Sequence, residues 1–287
     1  MPLPLRVCTA VPCYRSKDMA VFEQAATAPH FFGHFLAMAH MDFLLATSDC
    51  SSCPIRHRAV CASCNGAELN RLSDMKSYRS CKAGEVIALE GGVLPFVASI
   101  VTGCATLTQS LEDGRMQMVG LLLPSDFLGR PGRATAPFEV VAVTDTTLCV
   151  FERLAFERMM AETPHVADRL LKMALDELDA ARDWMLLLGR KTAREKVATL
   201  LAIILRRAPS AAFPLRAELP LSREAMATYL GLTIETVSRQ MTALRKDGFI
   251  RLEGTRGIVC GDLPSLISVT GDDTVILSDY GRDDRSA

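Results

Sequence analysis

Ser222-Arg-Glu-Ala-Met-Ala-Thr-Tyr-Leu-Gly-Leu-Thr-Ile-Glu-Thr-Val-Ser-Arg-Gln-Met-Thr-Ala-Leu-Arg-Lys246 decides how the chain is read. Ser222 is a good N-cap for a first helix ending at Leu230. Gly231-Leu232 breaks that helix, and Thr233 caps a second one running to about Lys246. Two short helices joined by a glycine-containing turn make a helix-turn-helix. On the second helix Glu235, Ser238, Arg239 and Thr242 share one face at i, i+3, i+4, i+7 spacing. Val237, Met241 and Leu244 lie on another face and can pack against Leu230 and Leu232. The polar face has the chemistry of base recognition. Arg grips guanine O6 and N7 with two hydrogen bonds, Glu accepts from cytosine N4, and Ser serves either kind of edge. Arg245 and Lys246 at the far end suit phosphates. The segment Phe249 to Cys260, turning near Gly254 and Gly257 with Arg256 at its tip, reads as a β-hairpin wing. A helical protein-interaction module could share the two-helix pattern. The attached basic wing favours DNA.

Charge distribution supports that choice. The 287-residue chain has a net charge of −1, with 49% hydrophobic and 23% charged residues. From Arg190 to Arg256, however, thirteen Lys/Arg stand against six acids, a net of +7. A basic block inside a neutral chain is the footprint of a DNA-binding domain, expected here over residues 191–263. Residues 264–287 form an acidic tail. The apolar fraction excludes global disorder. The apolar run Phe31 to Ala46 is broken by His34, His40 and Asp42 and is too short to span a bilayer. No signal-peptide pattern opens the chain, so a cytoplasmic, membrane-free protein is expected.

Upstream, residues 67–160 read as short strands punctuated by glycines, with Asp113-Gly114 as a hairpin turn between the runs 104–111 and 115–123. Strands so spaced suggest a small barrel or jelly roll. Over 161–190 the period becomes helical. Leu171, Ala174, Leu178, Ala181, Met185 and Leu188 alternate at heptad a and d positions, and Glu177 and Arg182 fall at g and the following e. A helix packed on its own domain could carry the same stripe. The g/e charge pair favours a parallel homodimer. Residues 1–49 form an extension without consistent period, and Met38 and Met41 just ahead of the first cysteine cluster raise the expectation of a later true start.

Cysteines are the remaining signal. The chain has ten of them, in a compartment where disulfides are rare and clustered thiols bind metal or do redox work. Cys50-Ser-Ser-Cys53-Pro-Ile-Arg-His-Arg-Ala-Val-Cys61-Ala-Ser-Cys64 places four thiols in a cysteine-rich arm, residues 50–66. By spacing alone, structural zinc and an iron–sulfur cluster are equally apt. Arg56, His57 and Arg58 inside the loop could offset thiolate charge or be solvated. Cys8, Cys13, Cys81, Cys104 and Cys260 match no ligand pattern and read as small core residues.

Roll, long helix and winged helix-turn-helix, in that order over about residues 50–262, resemble the cyclic-AMP receptor protein superfamily of transcription regulators, whose catabolite activator (CAP) is a standard example of helix-turn-helix docking. The segment Leu230-Gly-Leu-Thr-Ile-Glu-Thr-Val-Ser-Arg239 resembles the Glu-x-x-Ser-Arg recognition helix of its fumarate and nitrate reduction regulator (FNR) branch, and Cys50-x2-Cys53-x7-Cys61 resembles the alphaproteobacterial form of that branch's cysteine motif. The resemblance implies an α+β fold: a cyclic-nucleotide-binding-like β-roll (jelly roll), a long dimerisation helix and a C-terminal winged helix-turn-helix. It implies a non-enzymatic oxygen-responsive transcription regulator, activating or repressing, that binds TTGAT palindromes as a homodimer and touches RNA polymerase. It also implies a [4Fe-4S] cluster on Cys50, Cys53, Cys61 and the distant Cys149, with Cys64 as alternative ligand; zinc is the alternative metal, in a regulator indifferent to oxygen. By the same resemblance Glu235, Ser238 and Arg239 touch bases. In the segment Ser125 to Arg133, Arg130 stands where cyclic-nucleotide binders have Glu, which argues against a cyclic nucleotide. Ala181 occupies a seam position that is acidic in some members, so oxygen is expected to rearrange subunits as readily as to separate them.

Overall fold

The computed structural model describes residues 50–207 and 214–271. The N-terminal extension, with Cys8 and Cys13, and the acidic tail past Gly271 lie outside the described residues. A single tight turn, Cys50–Ser52, opens the described chain, followed by α1 (Gly66–Met75). The strands β1 (Lys76–Cys81), β2 (Val86–Ala88), β3 (Phe96–Thr102), β4 (Ala105–Ser110), β5 (Met116–Leu122), β6 (Phe127–Leu128), β7 (Glu139–Ala142) and β8 (Thr146–Glu152) come next. Helices α2 (Arg153–Glu162), α3 (Pro164–Arg190) and α4 (Ala193–Arg206) lead to β9 (Leu215–Glu218). The chain then runs through α5 (Arg223–Leu230), α6 (Ile234–Lys246), β10 (Arg251–Glu253), β11 (Gly257–Cys260) and α7 (Leu263–Ser268). It divides into two compact units, with cuts between Ala105 and Thr106, Leu123 and Pro124, and Val166 and Ala167.

The first unit is built on an antiparallel sheet of order β1-β8-β3-β6, with β2 and β7 paired separately. Strand β8, Thr-Thr-Leu-Cys-Val-Phe-Glu, is rich in β-branched and apolar residues and buried along nearly its whole length. It lies between β1 and β3, pairing Cys149 with Tyr78 on one side and Ser99 on the other. Its last residue, Glu152, turns the chain into α2 by accepting hydrogen bonds from the Leu154 and Ala155 amides, a carboxylate cap that also suits the helix dipole. Phe156 of α2 is fully buried, its ring 5.6 Å from that of Phe127 and 5.5 Å from that of Phe151. Ahead of the sheet, Asn65 and Glu68 form a reciprocal capping box that starts α1, so that the cysteine arm is delivered by a well-capped helix running straight into β1.

In the second unit, the β4–β5 hairpin turns at Asp113-Gly114 as expected: Gly114 has φ +85°, and Leu111 N–H donates to Arg115 O at 2.8 Å. Both helices of the helix-turn-helix form where the caps predict. The Ser222 hydroxyl accepts from Ala225 N–H, and the Thr233 hydroxyl accepts from Thr236 N–H. Gly231 ends α5 at φ +61°, a left-handed position natural to glycine. Val237, Met241, Leu244 and Leu230 are buried together in its core. The wing differs from the expected hairpin in one respect: its strands are β10 and β11, and β9 adds a third strand alongside β11. The sequence Leu-Arg-Ala-Glu of β9 is short and half-exposed, too little for a period-two signal to register.

Lys196 locks this unit together. It is 8% exposed, and its ammonium donates to Leu188 O at 3.1 Å and Leu230 O at 3.3 Å, the last-turn carbonyls of α3 and α5 that have no partner within their own helices. Lys196→Met removes the charge and leaves both carbonyls short of a donor. It should lower stability by about 2 kcal/mol, read as a reduced urea midpoint in the fluorescence of Trp184, the only tryptophan in the chain, which stacks on Tyr229 in the same unit.

Candidate functional site

Two sites emerge, one in each unit. In the first, the arm folds as a series of tight turns: Cys53 N–H bonds to Cys50 O, Arg56 N–H to Cys53 O, and Cys64 N–H to Cys61 O. Arg56 closes the loop by donating to the carbonyls of Ala62 at 3.1 Å and Cys64 at 3.0 Å. Of the three basic residues in the loop it is thus a structural staple, while His57 is exposed and Arg58 half-buried.

The arm brings its thiols against β8. Burial pushes the Cys149 thiol above its ordinary range, and the nearby thiols of Cys53, Cys61 and Cys50 push it further. Burial also raises Cys61, to about 12, helped by Cys53, Cys50 and Cys64. Cys53 is raised by burial and by Cys50. Cys64 is raised to about 11 by burial, with Glu68 and Arg56 the next influences. Cys50, Cys53, Cys61 and Cys149 therefore lie within electrostatic reach of one another, and Cys64 lies within reach of Cys50 and Cys61 as well as of Glu68 and Arg56. Among the described residues, no three His, Cys, Asp or Glu side chains converge closely enough to hold a single metal ion. Cys81, Cys104 and Cys260 are buried singly in the core. Sequence reasoning missed Lys76, which donates from Nζ to Cys50 Sγ at 3.4 Å. No local pattern marks a lysine at the start of a strand as the neighbour of a cysteine 26 positions earlier.

The second site is α6 with the wing. Glu235, Ser238, Arg239, Arg245 and Lys246 are exposed along it, and Ser238, Arg239, Thr242, Ala243 and Lys246 line one surface concavity. Its own backbone amide and the Thr233 hydroxyl hold the Glu235 carboxyl below the usual range, with Arg239 assisting, so Glu235 presents itself ionised, as an acceptor. Thr242 is half-buried and donates to Ser238 O at 2.9 Å, which places it at the flank of the reading face. Arg256 at the wing tip is exposed and touches Pro220 O at 3.4 Å. The basic block is less available than its count implies: Lys196 is buried, Arg194 pairs with Asp247 at 2.6 Å, and Arg216 pairs with Glu253 at 2.5 Å.

The expected seam lies on α3. Leu171, Ala174, Leu178, Ala181 and Met185 are exposed and Leu188 is half-buried, so the stripe is not consumed by packing on its own chain. Arg182 pairs within the helix with Asp179 at 3.0 Å, both side chains two-thirds exposed, a contact worth too little to hold it there. In the nucleotide region, Arg130 and Arg133 are exposed, and Gly132 N–H donates to the Glu157 carboxylate at 2.8 Å. No described cation is buried in that loop to receive a phosphate.

Comparison with known proteins follows this layout. Residues 78–163 match the cyclic nucleotide-binding domain family and residues 195–269 the Crp-like helix-turn-helix domain family. The transcriptional activator protein FnrL of Cereibacter sphaeroides is 59% identical over 230 residues, spanning 78% of this chain and 93% of that one. The chain belongs to the FNR branch of the CRP/FNR superfamily. The nitrogen fixation regulation protein FixK of Bradyrhizobium diazoefficiens is 38% identical over 208 residues, covering 71% of this chain and 86% of that one. Among solved structures, FixK2 from Bradyrhizobium japonicum is 34% identical with a TM-score of 0.64, covering 69% of this chain and 99% of that one. The protein is thus a DNA-binding transcriptional activator of the CRP/FNR type and not an enzyme, with the α+β architecture expected for the family.

On DNA, Arg239→Ala should weaken binding to the cognate operator about tenfold and relax one base position, the cost of one bidentate pair. Lys246→Ala should instead weaken binding to every duplex and reduce the salt slope by about one; fluorescence anisotropy titrations at several salt concentrations separate the two. For the cysteines, only the thiolate is nucleophilic. In metal-free protein at pH 7.5, iodoacetamide should therefore label Cys61 and Cys149 slowly, and the Cys61 rate should climb about tenfold per pH unit as it approaches its raised pKa, as followed by peptide mass spectrometry.

Proposed function

We propose that the protein is an oxygen-responsive activator, acting in the cytoplasm, that binds palindromes of TTGAT half-sites as a homodimer while Cys50, Cys53, Cys61 and Cys149 hold a [4Fe-4S] cluster. The observation that supports this reading is the gathering of the arm thiols Cys50, Cys53 and Cys61 within electrostatic reach of Cys149 on β8; Cys64, within reach of Cys50 and Cys61, is the alternative ligand. The donor set fits the group: four cysteine thiols are what a [4Fe-4S] cluster requires. When bound, the cluster supplies a group that dioxygen oxidises and dismantles.

The residues of the chain do the rest. Cys149 and the three arm cysteines would hold the cluster and so tie the arm to β8. Behind the arm, α1 meets the start of α3 through Glu68, whose carboxylate lies 2.9 Å from His165 Nδ1, so the position of the arm bears on the helix that carries the seam. Leu171, Leu178 and Met185 of that helix, exposed in a single chain, gain cover from a second copy. The dimer then sets two recognition helices about one DNA turn apart, roughly 34–36 Å, as a palindrome requires. Glu235, Ser238 and Arg239 read bases, and Arg245, Lys246 and Arg256 hold phosphates. RNA polymerase is the further partner that family membership implies. No described helix is long and apolar enough to cross a membrane.

Protein purified without oxygen should be brown and bleach within minutes of admitting air. Cys149→Ser should abolish the colour, and Cys64→Ser should leave it. A colourless protein with one zinc per chain, forming no cluster from iron and sulfide, would overturn the oxygen-sensing reading and leave the DNA-binding one intact.

A further inference from the structure

Two hydrogen-bond donors outside the cysteine set flank it. Lys76, half-buried at the head of β1, donates to Cys50 Sγ at 3.4 Å, and its ammonium lies 5.4 Å from the centre of the Tyr78 ring. Tyr78 is the cross-strand partner of Cys149. Residues two apart on a strand, and partners directly across a ladder, share one face of the sheet. Lys76 therefore stands on the face that carries Cys149, between the arm and β8.

Ser99 flanks Cys149 from the other side. It is the partner of Cys149 in the β3–β8 ladder, it is 2% exposed, and its hydroxyl is buried without a hydrogen-bond partner. Such a group is rare and calls for a reason. Directly opposed Cβ atoms in an antiparallel ladder stand about 4.5–5.5 Å apart, which is within reach of a hydroxyl–sulfur hydrogen bond. An anionic sulfur on Cys149 would satisfy the Ser99 hydroxyl, just as one on Cys50 would attract the Lys76 ammonium.

We propose that Lys76 and Ser99 donate hydrogen bonds to the ligand sulfurs of Cys50 and Cys149, and that they set how readily dioxygen oxidises the centre. The proposal rests on the cluster reading given above. A hydrogen bond to a ligand sulfur withdraws electron density and favours the more reduced state, and a nearby positive charge acts in the same sense. Loss of an electron to dioxygen is harder with both donors present and easier without them. Lys76 carries charge and bonds an arm cysteine, so it has the larger effect; Ser99 is neutral and bonds the cysteine fixed in the sheet.

The test compares full-length wild type, Lys76→Met, Lys76→Arg and Ser99→Ala, purified without oxygen. Iron and sulfide content, midpoint potential and decay of visible absorbance in air are measured for each. Lys76→Met should have a lower potential and bleach about tenfold faster, the lower end of what loss of an outer-shell partner costs at metal sites. Lys76→Arg, which keeps charge and donors, should stay close to wild type, and Ser99→Ala should bleach faster by a smaller factor. A Lys76→Met protein that assembles no cluster while Lys76→Arg does would support the same role. Wild type without a cluster would overturn the underlying reading together with the proposal. Wild type and variants with equal cluster content, potential and bleaching rate would leave the cluster reading standing and overturn the donor roles. Equal acceleration in Lys76→Met and Lys76→Arg would overturn the role of Lys76 in favour of packing alone.

Discussion

Everything in the first unit depends on where Cys149 sits. It lies in the middle of a strand paired on both sides, in the ladder positions of Tyr78 and Ser99, and is 9% exposed. A side chain so placed cannot travel to meet a partner, because moving it would break two ladders of backbone hydrogen bonds. The partner must come to it. That requirement accounts for the arm: its turns are closed by Arg56, and its exit into α1 is capped at Asn65 and Glu68. The result is an asymmetry, one thiol on a rigid sheet and three on a loop, which on the proposed reading makes the loop the part able to let go.

Burying thiols is inexpensive only while they keep their protons. Burial raises Cys53, Cys61 and Cys149, and each thiol raises its neighbours. Four thiolates in such a place would repel one another in a poorly solvated pocket unless a cationic centre stood between them. On the proposed reading, metal binding would displace protons, and on loss of the metal the protons would return and the electrostatic tie between arm and sheet would disappear.

The DNA-reading half was legible because its determinants are local. Ser222, Gly231 and Thr233 act within a few residues of themselves, and their geometry in the folded chain follows from the same caps and turn that a reader can spot. The hairpin at Asp113-Gly114 and the exposed stripe on α3 were legible for the same reason. Less was legible wherever a residue works across the chain. Lys196 counts in the sequence as one more positive charge for DNA, yet folding spends it on the carbonyls of Leu188 and Leu230. Arg56 is a counter-charge to Cys61 and Cys64, as its position in the loop suggests, and a loop staple as well, which nothing local announces. Strand β9, Lys76 and Ser99 carry no periodic or motif signal, because a sheet assigns their neighbours through pairings between segments far apart in sequence. The ligand quartet itself was read through family resemblance; spacing alone left Cys61 and Cys64 equivalent, and the folded arm keeps both within reach of Cys50.

The second unit shows how a change at the seam could reach DNA. The ammonium of Lys196, on α4, holds the ends of both α3 and α5, and Trp184 of α3 stacks on Tyr229 of α5 with ring centres 4.2 Å apart. The C-terminal part of α3 and the first helix of the helix-turn-helix are thus joined by a buried charge and an aromatic stack, not by a flexible linker alone. A rotation of α3 about its partner would carry α5 with it, and α6 would follow through its shared core of Val237, Met241 and Leu244. Reading a palindrome depends on the separation of two such helices to within a fraction of a DNA turn. On the proposed homodimer reading, rearrangement at the seam would be enough to end recognition without separating the subunits. Ala181, exposed on this stripe, carries no charge to repel a second copy there, which on the proposed reading suits a switch that works by geometry.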